Sequence, residues 1–282
     1  MVPAHRGTHR RPLTNHFVTP THTPTPHTPQ GDRPMTKTLG LIGAGNIGSA
    51  LARLAVAAGL NVVLSNSRGP ETLADLVAEL GEQARAATPG EAAQAGDLVV
   101  ATVPLNTYAQ LPAATLAGKT VIDTMNYYPE RDDQITELDS GGQTSSALVQ
   151  RHLADSQVVK AFNSIDFVRL FTSARPADAD DRSALPVAGD DKAAKAQVAE
   201  LLDVLGYDAV DIGTLADSWR SEPGTPVYVQ PYLPARPEGL TDEETGRWFF
   251  EVPGVSVPAA KVRELTDTAV RRSAGDARAT LA

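Results

Sequence analysis

From Lys37 onwards, short apolar runs alternate with segments of helical periodicity, and this alternation predicts the fold class. Segment 46–58 has apolar residues three or four positions apart, as on one face of a helix. Segment 97–103 is almost continuously apolar, which is typical of a central strand covered on both faces. The predicted strands are 39–42, 61–64, 84–87, 97–103, 120–123 and 157–163. The pattern predicts an α/β protein with a doubly wound parallel sheet.

A glycine-rich turn joins the first predicted strand to the first predicted helix. Gly43 permits a tight turn, Gly45 lets a ligand approach the backbone, and Gly48 lets the helix lie close to the strand. Free N–H groups and the positive end of the helix dipole suit such a turn to a pyrophosphate. The flanking strand and helix favour dinucleotide binding over the alternative, a turn built for packing alone. The predicted contact residues are Gly43, Ala44, Gly45, Asn46, Ile47 and Gly48.

The end of the second predicted strand indicates which dinucleotide binds. Enzymes that use NAD normally have an Asp or Glu there for the ribose hydroxyls, whereas this chain has Asn66, Ser67 and Arg68. Hydroxyl and amide groups can donate hydrogen bonds to a 2′-phosphate, and the Arg68 guanidinium can neutralise it. The sequence therefore favours NADP over NAD. The alternative is a solvent-exposed arginine in a polar loop.

Further candidate residues follow the later strands, because doubly wound sheets bind ligands beside the carboxyl ends of their strands. Thr102, Val103 and Pro104 follow the fourth strand and are expected beside the nicotinamide ring. The alternative there is a strand that simply ends at a proline. Asn126 and Tyr127 follow the fifth strand and are candidate contacts of the cofactor and the substrate. Covering the sheet end is the alternative role of the tyrosine.

Composition argues against several classes of function. The chain has 282 residues and a formal net charge of −9, from 25 Lys and Arg against 34 Asp and Glu. This charge argues against nucleic acid or an anionic membrane as the main partner. The absence of cysteine excludes disulfides, thiolate metal sites and cysteine nucleophiles, and we expect no metal site. No apolar run is long enough to span a bilayer or resembles a signal peptide, so the expected location is the cytoplasm.

The first 34 residues differ in composition from the rest of the chain. They contain five of the six histidines and seven of the 21 prolines, interleaved with threonine. Such a segment buries too little apolar surface to offset its ordering entropy, so residues 1–36 are predicted to be a disordered leader. The irregular histidine spacing favours a solvated tail over a metal site. A leader peptide and an over-long start-site assignment both fit this composition.

As a whole, the chain resembles the NADP oxidoreductases that depend on coenzyme F-420, a deazaflavin. Their nucleotide domain is related to the N-terminal domain of pyrroline-5-carboxylate reductases. The matching segments follow in family order over residues 37–222, and they are 43–48, 67–68, 102–104, 122–129, 159–163, 185–191, 206–207 and 211–215. The resemblance implies a Rossmann-like NADP-binding domain over residues 37–160 and a smaller C-terminal α/β domain over 161–222.

The resemblance also implies how such a protein acts. A deazaflavin is expected over the nicotinamide in the cleft between the two domains, with direct hydride transfer between the two rings, and a homodimer is expected. This chemistry depends on ring alignment and exclusion of water more than on a side-chain acid or base. The lack of a convincing catalytic triad is consistent with it. His152, the histidine outside the tail, has no predicted role.

The chain departs from the family at its C-terminal end. It continues with an aromatic, proline-rich extension, residues 223–282, that contains Trp248, Phe249 and Phe250 and a predicted helix at 258–272. The extension is expected to cover the cleft, to dock on the small domain, or to exchange with a partner subunit. If it lines the cleft, the hydride acceptor need not be a deazaflavin.

A second departure concerns catalysis. Lys160 and Asn163 resemble the lysine and asparagine of β-hydroxyacid dehydrogenases, in which the lysine acts as an acid. In those enzymes the pair lies on a long helix, whereas here the surrounding apolar residues predict a strand. Both residues are therefore candidates for the cleft, and a structural salt bridge or a strand-end contact is the favoured interpretation.

Two rival functions accompany hydride transfer to a deazaflavin. A reductase of small carbonyl or imine compounds would use Lys160 or Tyr127 as proton donor and would lose turnover when that donor is removed. A non-catalytic NADPH sensor would bind NADPH tightly, turn over no acceptor and contact a protein partner through the extension.

Overall fold

One mixed sheet organises residues 38–271, the part of the chain that the computed structural model describes. Within these residues its eight strands are β1 (Thr38–Ile42), β2 (Asn61–Ser65), β3 (Ala84–Ala86), β4 (Leu98–Ala101), β5 (Thr120–Asp123), β6 (Gln157–Lys160), β7 (Ala184–Gly189) and β8 (Asp208–Gly213). Their spatial order is β3-β2-β1-β4-β5-β6-β7-β8. Neighbouring strands are parallel except β6 and β7. The predicted leader, residues 1–36, lies outside the described residues.

The strand order reverses between β1 and β4, which confirms the doubly wound prediction. From β1 the chain adds β2 and β3 on one side and then returns to add β4, β5 and β6 on the other. β1 and β4 are direct neighbours, with Leu39 opposite Leu98 and Ile42 opposite Ala101. A crevice opens outside the carboxyl ends of the strands at such a reversal. A ligand site is therefore expected beside the residues that follow Ile42 and Ala101.

Helices flank the sheet. In the described part of the chain they are α1 (Asn46–Ala57), α2 (Ala74–Leu80), α3 (Pro89–Ala95), α4 (Ala113–Leu116), α5 (Pro129–Asp132), α6 (Thr136–Asp139), α7 (Ser145–His152), α8 (Phe167–Thr172), α9 (Lys192–Val204), α10 (Asp242–Glu251) and α11 (Ala259–Asp267). Short 3₁₀ segments include Leu215–Ser221 and Gln230–Tyr232. Across residues 38–271 no helix has both the length and the apolar character needed to cross a bilayer.

Apolar side chains cover both faces of the sheet. Along β4, Leu98 and Val100 belong to one buried cluster, and Val99 and Ala101 belong to another. This division arises because successive side chains of a strand point to opposite faces. The first cluster includes residues of α1 and α9, and the second includes residues of α4 and α7. β4 is therefore a central strand buried on both faces, as its continuous apolar run predicts.

Two strands and one helix end two or more residues earlier than the sequence pattern predicts. β4 ends at Ala101 rather than at residue 103, and β6 ends at Lys160 rather than at residue 163. Phe162 has a φ of 61°, which takes the backbone out of the extended conformation. Its side chain is nevertheless buried, so the apolar pattern continues past the end of the strand. α11 ends at Asp267, and residue 272 of the predicted helix lies outside the described residues.

The described part of the extension packs against β7 and β8 of its own chain. Tyr232 is fully buried, and its hydroxyl donates to the carbonyl oxygen of Ala184 in β7 (2.9 Å). The backbone N–H of Ala184 donates to the carbonyl oxygen of Val257 (2.8 Å). Arg169 of α8, also fully buried, donates to the carbonyl oxygen of Phe249. These contacts anchor the extension beside the strands that follow β6. The predicted domain boundaries and the predicted homodimer stay predictions.

A buried ion pair joins β5 to β6. The Lys160 Nζ lies 3.4 Å from the Asp123 Oδ2, and both side chains are fully buried. The ammonium also donates to Ser145 Oγ (3.2 Å) and to the carbonyl oxygen of Met125. Asp123 in turn accepts hydrogen bonds from the Met125 N–H (2.8 Å) and from Ser146 Oγ (2.7 Å). Since each charge is paired and hydrogen-bonded, the pair is tolerated in the interior.

Removal of the Lys160 ammonium tests this structural role. We expect Lys160→Ala to lower the free energy of unfolding by about 3–5 kcal/mol, because the Asp123 carboxylate would remain buried without its partner. Lys261→Ala is the control, since Lys261 pairs with Glu264 at the surface and such pairs contribute less than about 1 kcal/mol. Urea unfolding measures both values. Equal losses in the two variants would contradict a structural role for the buried pair.

Candidate functional site

The turn from β1 to α1 is compressed against the end of β4. Gly43 has a φ of 109°, and a Cβ atom there would lie 2.1 Å from the carbonyl oxygen of Thr102. A Cβ atom at Gly48 would lie 2.2 Å from the carbonyl oxygen of Gly43. The Gly43 N–H donates to the carbonyl oxygen of Ser65 at the end of β2 (3.0 Å). Neither glycine has room for a side chain, so α1 starts directly beside the ends of β2 and β4.

The N-terminus of α1 is open to ligands. Gly45 is the N-cap residue and provides no side chain to cap the helix, and the first turn has no acidic residue. Gly45 and Asn46 are exposed, and a Cβ atom at Gly45 would meet nothing within 4 Å. The N–H groups of a first helical turn and the positive end of the helix dipole attract anions. The turn therefore fits the pyrophosphate of a dinucleotide.

Replacing Gly45 by Ala tests this fit. We expect the dissociation constant of NADPH, measured by fluorescence titration, to rise at least about tenfold, equivalent to about 1.4 kcal/mol, because the methyl group would occupy the path of the pyrophosphate. The poorer N-cap should cost no more than about 1 kcal/mol of stability. Gly90→Ala is the control. A Cβ atom at Gly90 also meets nothing within 4 Å, but Gly90 lies in α3, outside the turn between β1 and α1. Unchanged NADPH affinity in Gly45→Ala would contradict the predicted pyrophosphate site.

The loop after β2 presents Arg68 to solvent. The Asn66 side chain shapes this loop, because its Oδ1 accepts from the Arg68 N–H (2.9 Å) and its Nδ2 donates to Thr72 Oγ1 (2.8 Å). Ser67 and Arg68 are exposed. Among residues 38–271 no hydrogen bond or ion pair engages the Arg68 guanidinium. The predicted 2′-phosphate site therefore has a free guanidinium and a free hydroxyl, whereas the Asn66 amide is engaged within the loop.

Replacing Arg68 by Ala tests the choice of cofactor. We expect the NADPH dissociation constant to rise about 10- to 100-fold, because hydrogen bonds to a charged group contribute about 1.5–3 kcal/mol. The NADH dissociation constant should change less than about twofold, since NADH has no 2′-phosphate. Arg236→Ala, at another exposed arginine, is the matched control for a general loss of positive charge. Equal weakening of NADPH and NADH would contradict a 2′-phosphate contact.

A cleft of about 340 Å³ opens at the switch point. It begins at the N-terminus of α1 and continues past the segments that follow β4, β5 and β6. The sequence-predicted site residues that line it are Gly45, Asn46, Ile47, Thr102, Val103, Pro104, Asn126 and Asn163. Gly43, Ala44 and Gly48 belong to the turn beside it, and the loop with Ser67 and Arg68 follows β2, outside the lining.

Asn126 and Asn163 bridge the ends of β5 and β6 inside this cleft. The Asn126 Nδ2 donates to the Asn163 carbonyl oxygen (2.9 Å), and the Asn163 Nδ2 donates to Asn126 Oδ1 (3.1 Å). The Asn163 Nδ2 also donates to the carbonyl oxygen of Ser221 (2.7 Å). Both amides are buried, and their mutual bonds satisfy much of their hydrogen-bonding capacity. They form a rigid polar part of the wall.

Lys160 and Tyr127, the two predicted proton-donor candidates, do not line the cleft. Lys160 is held in the buried ion pair described above. The Tyr127 hydroxyl lies 2.8 Å from Asp139 Oδ1 and accepts a hydrogen bond from the Ile135 N–H (2.9 Å). Burial also raises the pKa of Tyr127. The next residue, Tyr128, lines the cleft instead, since successive side chains of an extended segment point in opposite directions.

Several cleft residues are not among the site residues predicted from the sequence. They are Tyr128, Arg131, Phe162, Phe167, Tyr228 and Val229. Two of them, Tyr228 and Val229, belong to the extension. The hydroxyl groups of Tyr128 and Tyr228 hydrogen-bond to each other across 100 residues of sequence. The aromatic and proline-rich composition was the available signal that the extension is ordered, but it did not indicate which aromatic residue reaches the site.

The part of the extension that lines the cleft makes a tight turn at Val229. Its φ of 56° and ψ of −54° are rare for a β-branched residue. The Gln230 N–H donates to the carbonyl oxygen of Tyr228 (2.6 Å), which makes a γ-turn centred on Val229. The Val229 N–H donates to the carbonyl oxygen of Ser164 (2.8 Å). Strained backbone of this kind is concentrated at ligand sites in proteins.

The part of the chain that builds the turn and the first half of the cleft is similar to a known family. Residues 38–127, from β1 to the cleft segment after β5, match the family described as "NADP oxidoreductase coenzyme F420-dependent". The match covers less than half of the chain, from β1 to the end of the nucleotide-binding part of the sheet. The matched residues and the doubly wound sheet indicate a Rossmann-like domain of the kind that binds NADP.

Solved structures show the same fold. A hypothetical protein from Sinorhizobium meliloti is 32% identical with a TM-score of 0.60, and the alignment covers 69% of this chain and 93% of that one. A protein from Arthrobacter sp. FB24, assigned as an F-420-dependent NADP reductase, is 24% identical with a TM-score of 0.55. That alignment covers 65% of this chain and 87% of the other and supports the fold alone.

Among curated proteins, Metalloreductase STEAP3 from Rattus norvegicus is 30% identical to this chain over 186 residues. The alignment covers 65% of this chain and 35% of that protein. The chain thus spans about a third of the length of this relative.

Proposed function

We propose that the protein transfers a hydride between NADP(H) and a deazaflavin, coenzyme F-420, in the cleft at the switch point. The observation that supports this most is the continuity of the cleft from the uncapped N-terminus of α1 to the segments after β4 and β5. A dinucleotide with its pyrophosphate at Gly45 can extend along this cavity towards Val103 and Pro104. The family description names NADP and coenzyme F420 together.

The chain would contribute binding, orientation and exclusion of water. When bound, NADPH supplies the hydride. Ile47, Val103, Phe162 and Phe167 give the cleft apolar walls, and apolar walls keep water away from a reacting centre. Holding two reactants in one cavity also removes much of the entropic cost of their encounter. Asn126 is placed to orient a polar group because its buried side chain is fixed by Asn163.

Mixing the purified protein with NADPH and oxidised coenzyme F-420 tests this proposal. We expect the deazaflavin absorbance to fall with a kcat on the order of 1–10³ s⁻¹, the usual range for enzymes. Arg68→Ala should slow the reaction at low NADPH and recover at high NADPH, because Arg68 would act on cofactor binding alone. Tight NADPH binding without any reduction of the deazaflavin would contradict the proposal.

A small carbonyl or imine compound is the second candidate for the hydride acceptor. Tyr228 and Val229 of the extension form part of the cleft wall, and they lie beyond the family match, which ends at residue 127. The extension therefore gives this cleft a wall that the matched domain alone does not provide. The two candidates are separated by the same assay without deazaflavin. In it, the consumption of NADPH is measured with small ketones, aldehydes and cyclic imines.

A further inference from the structure

Tyr128 and Tyr228 bring two phenol groups to one point of the cleft. Tyr128 follows β5 and precedes α5, whereas Tyr228 belongs to the extension. Both residues line the cleft, and their hydroxyl groups hydrogen-bond to each other. The tyrosine pair, Tyr128 and Tyr228, is therefore a polar feature in a cleft with largely apolar walls.

Only one of the two hydroxyl hydrogens of the tyrosine pair takes part in a hydrogen bond within the described part of the chain. Each tyrosine contributes one O–H donor, and the mutual hydrogen bond engages one of the two hydrogens. Among residues 38–271 no other group hydrogen-bonds to either hydroxyl. Either tyrosine can be the donor in the mutual bond. A donor without a protein acceptor thus remains in the cleft, free to engage the oxygen or nitrogen of a ligand.

The surroundings keep this donor protonated and can stabilise its anion. Burial raises the pKa of Tyr228, and the neighbouring Tyr128 raises it further, so the hydroxyl retains its proton at neutral pH. The Arg131 guanidinium carbon lies 4.8 Å from the centre of the Tyr128 ring. Asp132 fixes that guanidinium through two hydrogen bonds of 2.8 and 2.7 Å. The positive charge of Arg131 opposes the effect of burial on Tyr228 and would favour a transient phenolate.

We propose that the tyrosine pair hydrogen-bonds to the oxygen or nitrogen of the hydride acceptor and donates a proton to that atom. This assignment rests on the hydride transfer proposed above. The acceptor class is a conjugated ring or small molecule with a C=O or C=N group. The nicotinamide loses a hydride, which forms a new C–H bond on the acceptor and moves an electron pair onto its oxygen or nitrogen. One tyrosine O–H bond breaks and that proton goes to this atom, and water then returns a proton to the phenolate.

Pairing the hydroxyls suits them to this step. When one tyrosine gives up its proton, the other can donate a hydrogen bond to the phenolate, and such charge-assisted bonds are about twice as strong as neutral ones. The γ-turn at Val229 and the bond from its N–H to Ser164 fix the backbone beside Tyr228. Tyr128 is fixed by its backbone N–H, which donates to Asp132 Oδ2 (3.0 Å). The donor is thus positioned before the acceptor binds.

Phenylalanine variants of the full chain test this assignment. We expect Tyr128→Phe and Tyr228→Phe each to lower kcat with NADPH and oxidised F-420 at least about tenfold, and the double variant to lower it about 10²- to 10⁴-fold, the usual contribution of general acid catalysis. The NADPH dissociation constant should stay within about twofold, because neither hydroxyl lies at the pyrophosphate turn. Tyr108→Phe, whose ring packs on His152 outside the cleft, is the control and should retain full kcat.

A binding measurement complements the rates. In the presence of NADP⁺, no hydride can be transferred to oxidised F-420, and quenching of the deazaflavin fluorescence reports its dissociation constant. We expect this constant to rise about 2- to 10-fold in the double variant, as for the loss of one neutral hydrogen bond, and to stay unchanged in Tyr108→Phe.

The outcomes separate the tyrosine pair from the reaction itself. Wild-type turnover with a double variant that keeps kcat and F-420 affinity within about twofold would overturn the assignment and leave hydride transfer to F-420 intact. A double variant that loses NADPH affinity as much as kcat would also overturn it, because the pair would then only close the cleft. If the wild type reduces neither F-420 nor a carbonyl or imine compound, both proposals fail.

Discussion

The close approach of the β1–α1 turn to the end of β4 is the constraint on which the site depends. Neither Gly43 nor Gly48 has room for a Cβ atom, so α1 begins directly against the sheet. As a result, the open N-terminus of α1 and the ends of β4, β5 and β6 line one cavity. A side chain at either glycine would push the helix outwards and separate the anion-binding turn from the cleft.

Hydrogen bonds between largely buried polar groups connect the sheet to the residues just before the extension. The Ser145 hydroxyl donates a hydrogen bond to Glu222 (2.6 Å). The oxygen of this hydroxyl also accepts a hydrogen bond from the Lys160 ammonium. Ser221, the preceding residue, bonds to Asn163 in the cleft wall. Because partly satisfied buried networks are costly, this arrangement fixes where the chain leaves the sheet. The position of the extension is therefore tied to the packing of β5 and β6.

The sheet and the glycine turn could be predicted because their signals are local. Strand periodicity and the rule that parallel sheets bind ligands at their carboxyl ends were enough to place Thr102, Val103 and Asn126 at one cleft. Tyr127 shows the limit of this reasoning. The sequence does not indicate which of two adjacent tyrosines faces the cleft, because that depends on the direction in which the chain leaves β5.

Other features depend on contacts between distant parts of the chain. A lysine at a strand end looks the same in sequence whether it faces a substrate or a buried carboxylate, and only the neighbouring β5 shows that Lys160 pairs with Asp123. Tyr228 meets Tyr128 across 100 residues, so its place in the cleft follows from the way the extension folds back. No periodicity within the extension specifies that contact.

The γ-turn at Val229 has a consequence for the evolution of this protein. A β-branched residue at positive φ reduces stability, typically by about 1–3 kcal/mol, whereas glycine adopts this conformation readily. Glycine at this position would relax the backbone and remove the side chain that shapes the cleft beside Tyr228. Under the proposed function, a Val229→Gly change would therefore gain backbone stability and lose part of the surface that defines the acceptor site. At this position stability and the shape of the cleft place opposite demands on the side chain.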